Sequence, residues 1–418
     1  MSIEFFTRLP LHGETFHLPG DPRNRGDWNN PSRPGTGAVS NFAVGDDFTY
    51  IDYLSQIARG AEIAGFDGVL MVNTQFGEEP WIVSSLLARE TKRLKFVAAF
   101  HPSSTSPWNA AQAAATYQRA TGGRLVWNII QGSSEAAQRA IGDELPHDER
   151  YERAGEFVHA VRGYFGSESF TYRGKYYSAS GGGLRGPLRK APIPRICTAG
   201  ASDAAKEFAA QHADYYLLLA EDPAIVAEHI RDVRERAQKY GRSDIQFGLS
   251  VDVIARATDA EARAEAKRIF DEGVAAGVVD VVASITEQLS PTFQKRRKLY
   301  HDKEVRDYDD LFIAPNLWAG YGYIGIPPGF ALVGDYAAIV ERIREFQALG
   351  ISLFFIAGYP HLEEAYRIGE HILPHFRSER VGARVPANDD AAAGDGFERP
   401  LAFASGLDTK QRHSGANG

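Results

Sequence analysis

The sequence predicts an α/β fold: a closed (β/α)8 barrel with insertions. Three observations carry this. Eight apolar β runs are separated by amphipathic helical patterns over most of the chain, and eight parallel strands is the number that closes a barrel. No G-x-G-x-x-G follows the first run, which argues against the rival open, doubly wound sheet. Histidine and tyrosine recur just past the carboxyl ends of the runs, the edge where barrels place their reacting groups.

In order, the predicted strands are Ile3–Arg8, Phe66–Val72, Leu94–Phe100, Leu125–Ile130, Arg195–Thr198, Asp214–Leu219, Ile245–Ile254 and Ser352–Ala357. Helical patterns fall near Phe48–Ala64, Pro80–Glu90, Ala110–Thr121, Arg150–Phe165, Asp203–His212, Pro223–Tyr240, Asp259–Ala275, Tyr336–Leu349 and Leu362–Leu373. Residues 1–380 read as one barrel domain. A long Pro/Gly/Asn/Arg-rich loop (13–47, with Arg23, Arg25, Trp28 and Arg33) follows the first strand, and a loop of that length is usually functional or disordered. A second insertion, read as a lid, covers 280–330 and includes the basic run Lys295–Lys298, most simply a solvated helix face. The segment SFTYRGKYYS reads as a β-hairpin before the fifth strand. Residues 381–418, rich in Ala, Gly, Asp and Asn, read as a tail outside the core.

Composition narrows the function classes. The 418 residues are 44% hydrophobic and 24% charged, as in an ordinary soluble globular protein. A formal charge of −8 argues against nucleic acid or an anionic membrane as main partner. The single cysteine, Cys197, excludes internal disulfides and a cysteine-built zinc site. No run approaches the roughly 18–20 apolar residues needed to span a bilayer, and the start, MSIEFFTRLPLHGET, lacks the pattern of a secretion signal. A cytoplasmic location is expected.

The stretch from Arg124 to Glu152 organises the functional reading. One amide, Asn128, interrupts an apolar strand and must find a partner if buried. A loop of small donors follows, Gln131–Ser134, and then a helix headed by His147, Arg150 and Tyr151. After the fifth strand, Gly200-Ala201-Ser202 leads into a helix. Free N–H groups at a helix start, a hydroxyl and the positive dipole end suit a phosphate, although a plain Ser N-cap has the same pattern. Tyr151 or Arg150 would complete such an anion cradle. The eighth strand delivers Tyr359 and His361 to the same rim, where a phenol can donate to a developing oxyanion and an imidazole can carry a proton. A Tyr-Pro turn with a helix-capping His is the plainer alternative. His12 and His101 follow the first and third strands. No H-E-x-x-H, ligand-spaced carboxylate cluster or G-x-S-x-G is present, so neither metal nor serine-hydrolase chemistry is expected, and the phosphate-type pattern points to a cofactor.

Several collinear segments resemble the bacterial luciferase-like, reduced-flavin-dependent monooxygenases, closest to the alkanesulfonate monooxygenase branch. They are LPLHGET, HPSSTSPWNAAQAAAT, WNIIQGSS, LPHDERYE, AGASDAAKEFAAQHADYYL, APNLWAG, ALVGD and GYPHLEEAYRIGE, spread from about Ile3 to Phe376. The resemblance implies a luciferase-like barrel and FMN used in its reduced form, FMNH2, supplied by a separate NAD(P)H-dependent flavin reductase. It also implies O2 as co-substrate and a flavin peroxide that oxygenates a small organic substrate. Asn128, His147, Tyr151 and Ser202 match positions that line the flavin or its phosphate, with Gly200 and Ala201 completing the phosphate loop. Ala201 stands where a second serine is common. His12, Tyr359 and His361 match positions near the reacting end of the flavin, Tyr359 as oxyanion donor and the histidines as proton carriers. Members of the family are commonly dimers or tetramers, which implies a homo-oligomer.

Departures from the resemblance bear on the substrate. Similar enzymes carry Arg-x-His on the seventh strand, where this chain has Ser250 and Asp252; Gly325 falls at a further arginine and Gly77 near an expected cysteine. Ser250, Asp252 and His101 are therefore the candidate substrate contacts. An unpaired Asp252 would repel a sulfonate, and a salt bridge to a neighbour such as Arg256 is the structural alternative. Two other readings remain beside the monooxygenase: a deazaflavin-dependent oxidoreductase on the same barrel, and a flavin-binding protein without turnover.

Overall fold

The computed structural model describes residues 3–14, 49–75, 77–132, 134–279 and 305–376. The expectations for Arg23, Arg25, Trp28 and Arg33, for Lys295–Lys298 and for the 381–418 tail lie outside these residues.

Along the chain run strand β1 (Glu4–Leu9), helix α1 (Tyr50–Ala64), β2 (Gly68–Met71), α2 (Pro80–Leu87), β3 (Lys95–Phe100), α3 (Pro107–Thr121) and β4 (Leu125–Ile129). Next come α4 (Glu135–Ala140), α5 (His147–Gly166), the hairpin of β5 (Phe170–Arg173) and β6 (Ser178–Gly182), β7 (Arg195–Ala199), α6 (Asp203–His212), β8 (Tyr215–Leu219), α7 (Pro223–Lys239), β9 (Gln246–Arg256) and α8 (Asp259–Ala275). After the second insertion follow β10 (Phe312–Ala314), β11 (Leu317–Trp318), β12 (Ala331–Asp335), the helix Tyr336–Ala348, β13 (Ile351–Ala357) and the helix His361–His371.

Strands β1, β2, β3, β4, β7, β8, β9 and β13 pair in that order, all parallel, and β13 pairs back to β1 to close the barrel. These are the eight runs the sequence predicts. Three short strands escaped notice. Strand β9 is long because its first half pairs with β13 and its last five residues pair with β12, which carries β11 and β10 antiparallel at its far edge. The run Ala331–Asp335 is as short and apolar as a barrel strand, but it joins the sheet above the barrel wall instead of within it.

Side chains alternate along each strand, so residues two apart share a face. The barrel interior is filled by Phe6, Leu70, Val97, Val126, Cys197, Leu217, Leu353 and Phe355, with Phe6 stacked on Phe355 at 4.8 Å. Gly248 makes room here: a side chain would meet Leu217 and Phe355 at 3.1 and 3.2 Å. At the amino end of the strands the interior is closed by polar pairs, Lys95 with Glu4 and Arg195 with the Tyr215 hydroxyl. The outward residues pack against the ring of helices and form the larger core, built on aromatics such as Phe5, Phe96, Trp127 and Phe354.

The helices start where the sequence supplies caps. Thr49 and Asp52 form a capping box on α1, and Thr258 and Glu261 form another on α8. Ser106 caps α3 and Ser202 caps α6. Each barrel helix that follows a strand therefore begins at the carboxyl rim, which collects loops, helix N-termini and strand ends on one side.

Candidate functional site

Above the apolar middle layer the inward face turns polar. On β1, Arg8 follows Phe6 by two residues; on β9, Ser250 and Asp252 follow Gly248; on β4, Asn128 follows Val126. The same alternation that builds the core thus points these four side chains into the mouth.

One group gathers at the ends of β1, β9 and β13. The Arg8 Nη2 donates to both carboxylate oxygens of Asp252, at 2.9 and 2.8 Å, and to the Tyr359 hydroxyl at 3.2 Å. Asp252 is fully buried, whereas the Arg8 side chain keeps 12% exposure. Strand β13 lies between their two strands. Ala357 stands opposite Asp252 in the ladder, and its methyl lets the arginine reach across two strand spacings, about 10 Å. Burial pushes the Asp252 carboxyl above the ordinary carboxylate range, and the guanidinium opposes it. Burial alone would lower the Arg8 pKa, but the attraction of Asp252 and Tyr359 outweighs it and the pKa is raised. Burial likewise raises the Tyr359 phenol against the pull of Arg8, so it holds its proton at neutral pH. Its oxygen also lies 3.3 Å from the Pro327 carbonyl. The ring of Tyr321 meets it edge-on at 5.6 Å, and the buried Tyr321 hydroxyl has no hydrogen-bond partner among the described residues.

His361 opens the last long helix, with its ring edge-on to Tyr359 at 4.9 Å. Its Nδ1 is 2.6 Å from Glu14, and its backbone N–H donates to both Glu14 oxygens at 3.1 Å. Tyr53 donates a third hydrogen bond to the same carboxylate. Burial alone would raise Glu14, but these partners hold it below the ordinary range. With Nδ1 engaged, the buried Nε2 of His361 is left without a partner among the described residues. His12 sits nearby: burial, then the charges of Arg8 and His361, push its pKa down to about 4, so it is neutral at pH 7.

A second group gathers at the ends of β4 and β7. Gly200 has φ +134°, and a Cβ there would lie 2.7 Å from the Ala205 Cβ and 2.9 Å from the Tyr151 hydroxyl. The phenol is thus held against bare backbone. Tyr216 donates to the Gly200 carbonyl. Ser202 caps α6, its Oγ accepting from the Ala205 N–H at 3.2 Å, and Ala201 is half-buried beside it. His147 lies edge-on to Tyr151 at 5.2 Å and 2.7 Å from Asp148. Burial pushes Tyr151 up to about 12, leaving it a neutral donor. The Oδ1 of buried Asn128 has no partner among the described residues. A helix start, a hydroxyl, a phenol and a closely approachable glycine suit a phosphate ester, and the unpartnered amide above suits the polar part of an attached ring.

Tyr359, His12, His361 and Asp252 therefore lie together, as do Asn128, His147, Tyr151, Gly200, Ala201 and Ser202. One expectation is corrected, and one candidate lies on another side of the barrel. Asp252 is neither unpaired nor bridged to Arg256: Arg256, at the far end of β9 beside β12, is taken by Glu364 at 3.1 Å and Glu265 at 3.5 Å, while Arg8 takes the Asp252 carboxylate. His101 stands apart from Ser250 and Asp252. It belongs to the β3–α5 side, where burial lowers its pKa and Asp143, Arg150 and Arg153 are the charges that act on it. Sequence reasoning missed Arg8 and Glu14. A lone arginine two residues after an inward phenylalanine was a readable signal; Glu14, two residues past His12, had none beyond its position. Among the described residues no group of His, Cys, Asp or Glu could hold a metal ion, and no helix is long and apolar enough to cross a membrane.

Comparison with known proteins adds to this geometry. Residues 28–353 match the luciferase-like monooxygenase family. The chain is similar to a riboflavin lyase solved with modified FMN and its substrate riboflavin, at 19% identity and a TM-score of 0.68, over 90% of this chain and 92% of that one. It is similar to a long-chain alkane monooxygenase at 19% identity and a TM-score of 0.63, over 90% and 92%. An F420-dependent secondary alcohol dehydrogenase in complex with an F420-acetone adduct aligns at 16% identity and a TM-score of 0.56, over 79% and 95%.

Proposed function

The chain belongs to the luciferase-like monooxygenase family, and on that footing we propose that it is a two-component monooxygenase that uses reduced FMN and O2 to insert one oxygen atom into a small organic substrate. Reduced FMN, delivered by a separate NAD(P)H-dependent flavin reductase, supplies the electrons that activate O2. One observation carries the reading: a phosphate-type cradle and a proton-handling group stand at the same carboxyl rim of one closed barrel.

The residues present fit the cofactor. Gly200, Ala201, Ser202 and Tyr151 would hold the phosphate, with His147 supporting the Tyr151 ring, and Asn128 would receive a polar edge of the ring system. On the other side Tyr359 keeps its proton and faces a permanent cation, so it can donate to an oxyanion and share the charge with Arg8. Neutral His12 can accept a proton, and His361, fixed through Nδ1 by Glu14, presents Nε2 as the second proton-handling atom. Asp252 and Ser250 line the substrate side.

The Arg8–Asp252 pair removes the objection that a bare carboxylate would repel an anion, so a sulfonate stays among the candidate substrates with sulfones, aldehydes and aromatics. The test is to mix the protein with chemically reduced FMN and air, screen those four classes, and look for a product containing one atom of labelled oxygen. Similarity to the F420-dependent dehydrogenase supports a second reading, hydride transfer from a deazaflavin. Binding of reduced deazaflavin but not reduced FMN would select it.

A further inference from the structure

We propose that Arg150, with Gln131 beside it, is a second anion-holding point of the cofactor site and receives a negatively charged group of the bound flavin. This rests on the flavin reading above and adds a residue to it.

Arg150 is one of the largest fully buried side chains among the described residues, at 1% exposure. Its Nε and Nη1 have no acceptor among the described residues. The partner of Nη2 is Glu135, at 3.3 Å and with its own side chain 52% exposed, a long contact to a largely solvated carboxylate. A guanidinium is charged at any relevant pH, and burying one with most of its donors unused is unfavourable unless something else supplies acceptors. Its place makes this worse. Arg150 lies near the start of α5, where the helix dipole presents its positive end, and a cation there opposes helix formation. The acidic residues of that turn are engaged elsewhere, Asp148 with His147 and Glu149 with Lys175. Arg153, one turn on, is matched by Asp143 at 2.5 and 2.9 Å and brings no surplus carboxylate.

The segment between β4 and α5 that carries Glu135 repeats the pattern. Among the described residues, both polar atoms of Gln131, 3% exposed, have no partner, and neither has the Oε1 of Gln138. Helix α4 ties them together: Glu135 meets Arg150, while Gln138 packs against Gly132, next to Gln131. His101 contacts the Ile130 backbone and lies close enough to Arg150 to feel its charge. Tyr151, the next residue of α5, reaches Gly200 in the phosphate cradle. A fork of unused donors one residue from that cradle, in a positive field, calls for an anion. A flavin offers two such groups, the phosphate ester and the ring itself, which loses a proton near neutral pH once reduced.

The experiment measures dissociation constants of Arg150→Met and the parent protein for FMN, riboflavin and both reduced forms, with the midpoint potential of the bound flavin. If Arg150 holds the phosphate, FMN in both redox states binds at least about tenfold more weakly, as expected for losing a charge-assisted hydrogen bond, and riboflavin is unchanged. If it holds the ring, both reduced ligands weaken by that factor more than the oxidised ones, and the potential falls. All four affinities within about twofold of the parent, with the fold intact, overturn the proposal. Should Arg150→Met not fold, Gln131→Leu decides: a drop of about threefold or more in the same ligand set supports the site, and unchanged binding overturns it. Failure of the parent protein to bind any flavin would instead remove the cofactor reading on which this rests.

Discussion

Replacing Arg8 with Met strikes a buried charge pair that sequence reasoning did not find, and its effect follows from the geometry. Asp252 is fully buried, and Arg8 is its ion-pair partner at 2.8 Å. Removing the cation strands a carboxylate in a low-dielectric interior, at a cost of about 3–5 kcal/mol. For a domain of this size that lowers the thermal midpoint by about 4–6 °C. The deficit depends on pH in a predictable direction. Burial already raises the Asp252 carboxyl, and losing Arg8 raises it further. A carboxyl with a raised folded pKa is destabilising when ionised, so the Arg8→Met deficit is greatest above pH 7 and shrinks as acid protonates Asp252. The paired change Arg8→Met with Asp252→Leu removes both charges and should recover most of the loss, because an apolar pair of similar volume replaces an ion pair at little cost. The assay is thermal or urea unfolding of the parent, the two single variants and the double variant at pH 5.5, 7 and 8.5. Additive single effects, or an Arg8→Met deficit that does not vary with pH, would refute the claim that these groups act as a buried pair.

Three further outcomes follow from the site. Tyr359→Phe should cut turnover at least about tenfold, the low end for losing a positioned donor, while flavin binding measured by fluorescence is unchanged; unaltered turnover removes Tyr359 from the mechanism. His12→Asn should flatten the acid limb of stability. The native imidazole titrates at about 4 against an ordinary 6.5, so the unfolded chain gains a proton first, and stability falls as pH drops from 6.5 towards 4. The shift corresponds to about 3 kcal/mol, and His212, with the same displacement, contributes a second share that the variant leaves in place; urea midpoints at pH 7 and 5 for both proteins check this. Ser202→Ala should cost about 1 kcal/mol of stability through the lost cap on α6 and weaken FMN binding without altering riboflavin binding, and equal loss for both ligands would separate Ser202 from the phosphate.

Much of the barrel was legible because its signal is local. Each of the eight strands is a short apolar run bounded by helical periodicity, and each was read within a residue or two of its observed ends. Ser202 was legible as a cap and Tyr359 as a strand-end residue for the same reason. What was not legible depends on pairing at long range. The run Ala331–Asp335 looks like a barrel strand, and only its register against Asp252–Arg256 shows that it lies above the wall. The partner of Asp252 is 244 positions away, across a strand whose Ala357 leaves the gap. Arg256 was the nearer choice in sequence, but it lies at the end of β9, where Glu364 and Glu265 take it. Glu14 is invisible as a functional group until the chain brings His361 and Tyr53 onto it.

The two groups at the rim differ in how their polarity is settled, and the difference follows the proposed division of labour. At β1, β9 and β13 charge is met within the protein: Asp252 by Arg8, Glu14 by His361 and Tyr53. That side can face an uncharged intermediate state without penalty, and its donors, Arg8 and Tyr359, are fixed before any charge develops, which is the condition under which donors stabilise an oxyanion most effectively. At β4, α4 and α5 charge and amides are left open: Arg150, Gln131, Gln138 and Asn128 all keep buried atoms without partners among the described residues. An interior tolerates such groups only where something that completes them binds for most of the working cycle. The closed side therefore reads as the place where chemistry happens, and the open side as the place where a polar, anionic molecule is held.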